Sequence, residues 1–76
     1  MKKKFDIRYF EDLVEHCEGV PNMAVKLNLH PRTIERWRKI GIPDDYWPEL
    51  HEHFGVLPIE CFKVNGKILG YSVRNI

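Results

Sequence analysis

Over the first two thirds of the chain, apolar residues recur every three to four positions, and near the end they alternate with polar ones. Phe10, Leu13, Val14 and Cys17 lie at helical spacing, with Asp6 available as an N-cap and Gly19 as a stop. That spacing predicts a first helix over about Ile7–Glu18. Val20, Met23, Ala24 and Leu27 form the apolar stripe of a second helix, and Pro21 suits its first turn. Asn28 follows, one of the few non-glycine residues comfortable at positive φ. Pro31 sets the first turn of a third helix, in which Ile34 and Trp37 face inward and Gly41 ends the run. Ile42 to Asp45 reads as a connector with a capping carboxylate. A fourth helix follows from about Asp45 to Phe54, with Pro48 in the first turn, where its missing N–H costs nothing.

From Ile59 to Val73 the period changes. The segment is rich in strand formers and centred on Asn65-Gly66, the strongest short hairpin signal. Pairing Val64 with Lys67 places Phe62 opposite Leu69 and Glu60 opposite Tyr71. Lys3-Lys4-Phe5 is a candidate third strand. An isolated hairpin is marginal, so this one needs the helices, that strand or a partner chain to pack against.

At 76 residues the chain has room for one small domain spanning 1–76, with a modest core. With 43% hydrophobic and 30% charged residues, the balance is globular and excludes a disordered or fibrous class. No apolar run approaches the roughly 18 residues of a membrane span, and the basic start leads into no signal-type segment, so a soluble, cytoplasmic protein is expected. In that setting Cys17 and Cys61 read as buried thiols and not as a disulfide. The net charge of +1 conceals a pattern. Residues 20–40 carry five basic side chains and one acidic, residues 41–62 five acidic and no basic, and residues 63–76 three basic and no acidic. Charge alone fits a polarised binding surface and a plainly solvated one equally well.

Val20 to Lys39 is the informative stretch. Two short helices are joined by Asn28-Leu29-His30, and the small residue Ala24 stands four places before the turn. A tight helix pair needs a small side chain where the second helix crosses the first, a left-handed residue at the turn, and apolar side chains inside, here Leu27, Leu29, Ile34 and Trp37. In these residues the segment Met23 to Trp37 resembles the helix-turn-helix of phage Cro and repressor proteins. The continuation Trp37-Arg38-Lys39-Ile40-Gly41-Ile42-Pro43, with Trp47-Pro48 after it, is similar to the prophage YdaS/Cro-like subgroup. The resemblance covers about residues 10–54. This chain departs from the pattern in having Asn28 where glycine is commonest, and His30-Pro31 where a Ser or Thr cap is typical. The resemblance implies a mainly α domain with a small β element: four helices of the lambda-repressor/Cro type and a C-terminal β-hairpin at about 59–73. It also implies sequence-specific binding of double-stranded DNA.

The distribution of charge around the third helix fits that role. At about 100° per residue, Trp37 lies within about 60° of Ile34, whereas Glu35, Lys39, Arg32 and Arg36 lie about 100° to 200° away. Arginine suits guanine N7 and O6, and lysine suits phosphate. Arg32 and Arg36 are therefore the candidate base readers, with Thr33 beside them for a thymine methyl or a phosphate. Asn22, Lys26, Arg38 and Lys39 are the candidate phosphate contacts. Glu35 suits cytosine N4 or an ion pair with Lys39. Trp37, on the face of Ile34, reads as core.

His16, Cys17, His51, His53 and Cys61 lack the spacing of zinc ligands, because neighbouring and alternate positions diverge on a helix. No phosphate-binding loop, nucleophile motif or framed carboxylate pair is present, so neither an enzyme nor a cofactor is expected. The hairpin has two readings. Asn65 and Lys67 at its tip form a wing on the phosphate backbone, or Phe62, Val64, Leu69 and Tyr71 pair across a two-fold axis. The second is favoured, since a single helix-turn-helix makes few contacts. The expectation is thus a homodimeric transcriptional repressor on a pseudo-palindromic operator. The alternatives are an excisionase-like architectural factor, or an antitoxin-type protein-binding module using the acidic span.

Overall fold

The computed structural model describes residues 6–71. Among them lie five α-helices and no strand: α1 (Phe10–His16), α2 (Val20–Leu27), α3 (Pro31–Ile40), α4 (Trp47–Phe54) and α5 (Pro58–Leu69). A 3-10 turn, Asp44–Tyr46, leads into α4. The prolines expected in first turns are there: Pro21 in α2, Pro31 in α3 and Pro48 in α4.

α1 is shorter than its predicted span and is not capped by Asp6. Its N-cap is Tyr9, and the Asp12 carboxylate reaches back to accept the N–H groups of Arg8 and Tyr9, each at 3.0 Å. A carboxylate in the first turn satisfies two orphan donors at once, which a residue four positions before the helix cannot do. Asp6 instead pairs with Arg8 at 3.3 Å.

The C-terminal hairpin does not form. Residues 58–69 are helix, and the Asn65-Gly66 pair sits in its third turn. Pro58 starts the helix, the Glu60 carboxylate accepts the Leu57 N–H at 2.9 Å, and Gly70, at φ 83°, ends it. The reason lies in which residues are buried. Cys61, Val64 and Asn65 are buried and Ile68 is half-buried, a spacing of i, i+3, i+4 and i+7. Three of the four are apolar and one is an amide, so the helical period is hidden behind a polar residue. Glycine within a helix costs roughly 0.5–1 kcal/mol relative to alanine, and the packing of this face outweighs that. The expected pairings of Val64 with Lys67 and Phe62 with Leu69 therefore do not occur. The possible third strand at Lys3–Phe5, and Val73 at the far end of the hairpin, lie outside the described residues.

All five helices contribute to one core. Leu13, Met23, Ile34, Leu50, Cys61 and Val64 are each completely buried, and Trp37 is 1% exposed, with its ring 5.2 Å from that of Tyr46. Trp37 is thus a core residue, as its position on the face of Ile34 predicts. Cys17 and Cys61 are buried free thiols. His16 is also buried, its Nε2 donating to the Phe54 carbonyl at 2.7 Å, which ties the end of α1 to the end of α4. No helix among the described residues is long and apolar enough to cross a membrane.

Candidate nucleic-acid interface

α2 and α3 form the helix pair that the sequence predicts. Ala24 is buried between them, and Asn28 adopts the left-handed conformation at φ 58° and ψ 48°. Leu29 N–H then returns to the Ala24 carbonyl at 2.9 Å, so the chain reverses within three residues. His30 is the N-cap of α3. Its Nδ1 accepts the Arg32 N–H at 3.0 Å, the service that Ser or Thr performs in similar motifs. The proton on that ring consequently sits on Nε2 when the cap is made. Pro31 fixes the first turn, and the buried Ile34 and Trp37 fix the rotation of α3 about its axis.

With the rotation set, Arg32, Glu35, Arg36 and Lys39 are exposed. The side chains of Arg32, Arg36 and Lys39 form no ion pair or hydrogen bond among the described residues. Lys26, in the last turn of α2, is likewise exposed, and Thr33 is half-buried. Glu35 pairs with Arg38, Nε to Oε1 at 3.0 Å, and not with Lys39. This removes the single acidic charge of the α2–α3 span from competition with the free cations.

Two of the candidate phosphate contacts are engaged within the domain. Arg38 pairs with Glu11 of α1 as well as Glu35, and its guanidinium carbon lies 4.9 Å from the centre of the Phe10 ring. It fastens α3 to α1. The Asn22 side chain donates to the Cys17 carbonyl at 2.8 Å, closing the α1–α2 corner. The Glu11, Phe10 and Cys17 contacts leave no sign in sequence spacing, because those partners lie outside the helix that carries Arg38 or Asn22, whereas Glu35 stands at i,i+3 to Arg38 within α3.

The residues assigned to the hairpin are dispersed along and beyond α5. Val64 and Asn65 are buried; Phe62, Lys67, Leu69 and Tyr71 are exposed. Phe62 and Tyr71 stack at 5.2 Å, the Tyr71 hydroxyl donates to the Phe62 carbonyl at 3.2 Å, and Lys67 lies 5.3 Å from the centre of the Tyr9 ring. No wing tip is formed among them.

Burial pushes the Cys17 thiol up to about 12, with the Cys61 sulfur adding to the effect. Cys61 is also pushed up to about 12, first by burial and then by the neighbouring Glu60 carboxylate. Both are neutral thiols at physiological pH, poorly suited to nucleophilic attack or metal ligation. Among the described residues, no three His, Cys, Asp or Glu side chains gather as a metal site would require. In comparison with known proteins, no family model, no curated protein and no solved structure matches this chain.

Proposed function

We propose that the chain is a sequence-specific double-stranded DNA-binding transcriptional regulator of phage or prophage type, acting in the bacterial cytoplasm. α3 is its recognition helix. The observation that carries this reading is the pairing of a tight α2–turn–α3 unit with a row of exposed, unpaired cations on the one face of α3 that the core leaves free. Arg32 and Arg36 read base edges from the major groove, with Thr33 at its margin. Lys39 and Lys26 contact phosphates, and the 3-10 turn and α4, whose charges are all acidic, stay clear of the backbone.

Three or four side chains on one short helix supply little discrimination, so the active species is a homodimer. Its two α3 helices enter successive major grooves about 10 bp apart on a pseudo-palindromic operator. Occupancy there represses transcription by excluding polymerase.

The test is selection of bound duplexes from a random-sequence pool at about 150 mM salt, where non-specific affinity has weakened, run beside the Arg32→Ala/Arg36→Ala variant. The expected result is an inverted repeat that the variant fails to enrich. Enrichment of a direct repeat would point to an architectural role in place of repression. No enrichment would overturn the reading.

A further inference from the structure

A second surface lies on elements that carry none of the α3 cations. Asp44, Trp47, Pro48, His51 and Pro58 line an open groove of about 410 Å³ between the 3-10 turn, α4 and the start of α5. Its chemistry is one-sided. Pro48 and Pro58 have no amide N–H to offer, so the two first turns that form its walls present fewer backbone donors than usual. Trp47 is half-buried, and its Nε1 is spent on the Ile42 carbonyl at 3.1 Å, which fixes the ring in place. Asp44 is the one formal charge in the lining.

The surroundings extend that charge. Asp45 and Glu52 are exposed and Glu49 half-buried, and no Lys or Arg occurs between residues 41 and 62. The ion pairs among the described residues lie elsewhere, on Asp6, Glu11 and Glu35, so none of these carboxylates is matched by a cation within the described domain. A groove of this kind repels nucleic acid and anionic ligands. It favours a flat cation with an aliphatic stem that can lie against an indole and donate to a carboxylate, which is the chemistry of arginine.

We propose that this groove docks an arginine-bearing basic segment of a partner protein, with a guanidinium against Trp47 and paired to Asp44. The surface is separate from α3, so a regulator bound to DNA through α3 keeps it available. Arginine is preferred to lysine because the apolar walls reward the weakly hydrated planar group.

The experiment is an amide and indole NMR titration of the intact chain with the blocked peptide Ala-Arg-Ala-Ala-Arg-Ala, and with its Lys and Glu counterparts. Expected are shifts confined to the Trp47 indole and to residues around Asp44, His51 and Pro58, stronger for Arg than for Lys and absent for Glu. Asp44→Asn, a change at an exposed side chain, should weaken the arginine peptide at least threefold. Trp47→Phe should do the same, with the amide spectrum reporting whether that variant stays folded. Arg32→Ala/Arg36→Ala should leave the titration unchanged, so that failure of the DNA reading and failure of this one are told apart. Equal shifts near Glu11 and Glu15, equal binding of the Lys peptide, or no shift at millimolar peptide would overturn the proposal. So would concentration-dependent broadening of the groove signals without peptide, which would make a second copy of the chain the occupant.

Discussion

Asn65 on α5 holds the backbone of Ile42 from both sides: its Oδ1 accepts the Ile42 N–H at 2.7 Å, and its Nδ2 donates to the Ile42 carbonyl at 3.0 Å. The amide thereby plays the part of a strand neighbour for a connector that belongs to no sheet. Ile42 is the first residue after the Gly41 cap of α3, so this contact holds the chain where α3 ends. Gly41 is part of the arrangement. At φ 89°, a Cβ there would stand 3.2 Å from the Asn65 Oδ1, so the amide and the glycine fit each other.

Removing the Asn65 amide leaves a buried N–H without its acceptor, while the Ile42 carbonyl keeps Trp47 Nε1. An orphaned buried donor costs about 1–3 kcal/mol, and the truncated side chain adds a cavity. Asn65→Ala is expected to destabilise the domain by about 3 kcal/mol in urea unfolding. Asn65→Asp should be worse at neutral pH, because one carboxylate oxygen then faces the Ile42 carbonyl. It should recover on acidification as the carboxyl protonates and regains a donor. A variant indifferent to pH between 4 and 7 would show that the two-sided contact is not made.

The same residue explains where sequence reading succeeds and where it stops. The span from Val20 to Gly41 is legible because its signals are local and consistent: apolar stripes at helical period, prolines in first turns, a left-handed Asn28 and a closing glycine. α5 is not legible, because Asn65-Gly66 makes a hairpin turn only where both residues take positive φ, and here both are helical and buried. A polar residue with a tertiary backbone partner cannot be told from a loop residue along the sequence. At the candidate interface, the outward set Arg32, Arg36 and Lys39 could be read from the helical wheel. The diversion of Arg38 to Glu11 and Phe10 could not, since it depends on the tertiary fold bringing the start of α1 within reach of the Arg38 side chain.

The two thiols set an upper pH limit for the domain. Their values stand at about 12 in the fold, against 9.0 for a free thiol. A raised value means the stabilisation is complete below about pH 9 and is lost as pH climbs towards 12, because the unfolded chain ionises first. Each thiol then lowers stability by up to about 1.4 kcal/mol per pH unit. Urea midpoints should be flat from pH 7 to 8.5 and fall beyond pH 9, and Cys17→Ala should soften the fall. Iodoacetamide should leave both cysteines unmodified in the native protein at pH 8 and label both in urea. Rapid native labelling would contradict the burial.

His30 tests the N-cap of α3 separately from its cations. Replacing it with alanine removes the acceptor for Arg32 N–H and should cost about 1 kcal/mol, whereas His30→Ser should retain most of the stability. If the cap also positions Arg32, DNA affinity should fall with the alanine variant and return with serine. Equal stability for the two variants, measured by thermal unfolding, would show that Pro31 alone suffices to start the helix.

The exposed face of α3 makes the sharpest distinction between its residues. Arg32 and Arg36 are exposed and unpaired, and on the proposed footing each makes a bidentate contact to one guanine, worth about 1–3 kcal/mol. Arg32→Ala or Arg36→Ala should therefore weaken the selected operator by that amount and relax preference at a single base pair. Lys39→Ala should weaken all sequences alike and lower the slope of log K against log salt by about 1. Arg38→Ala should behave differently again. Its guanidinium is held by Glu11, Glu35 and Phe10, so its loss should appear first as lower thermal stability, with no base preference altered. Binding isotherms on the operator and its single-base variants, at two salt concentrations, separate these cases. A uniform loss for Arg32→Ala across every base variant would remove it from the base-reading set and assign it to the phosphates.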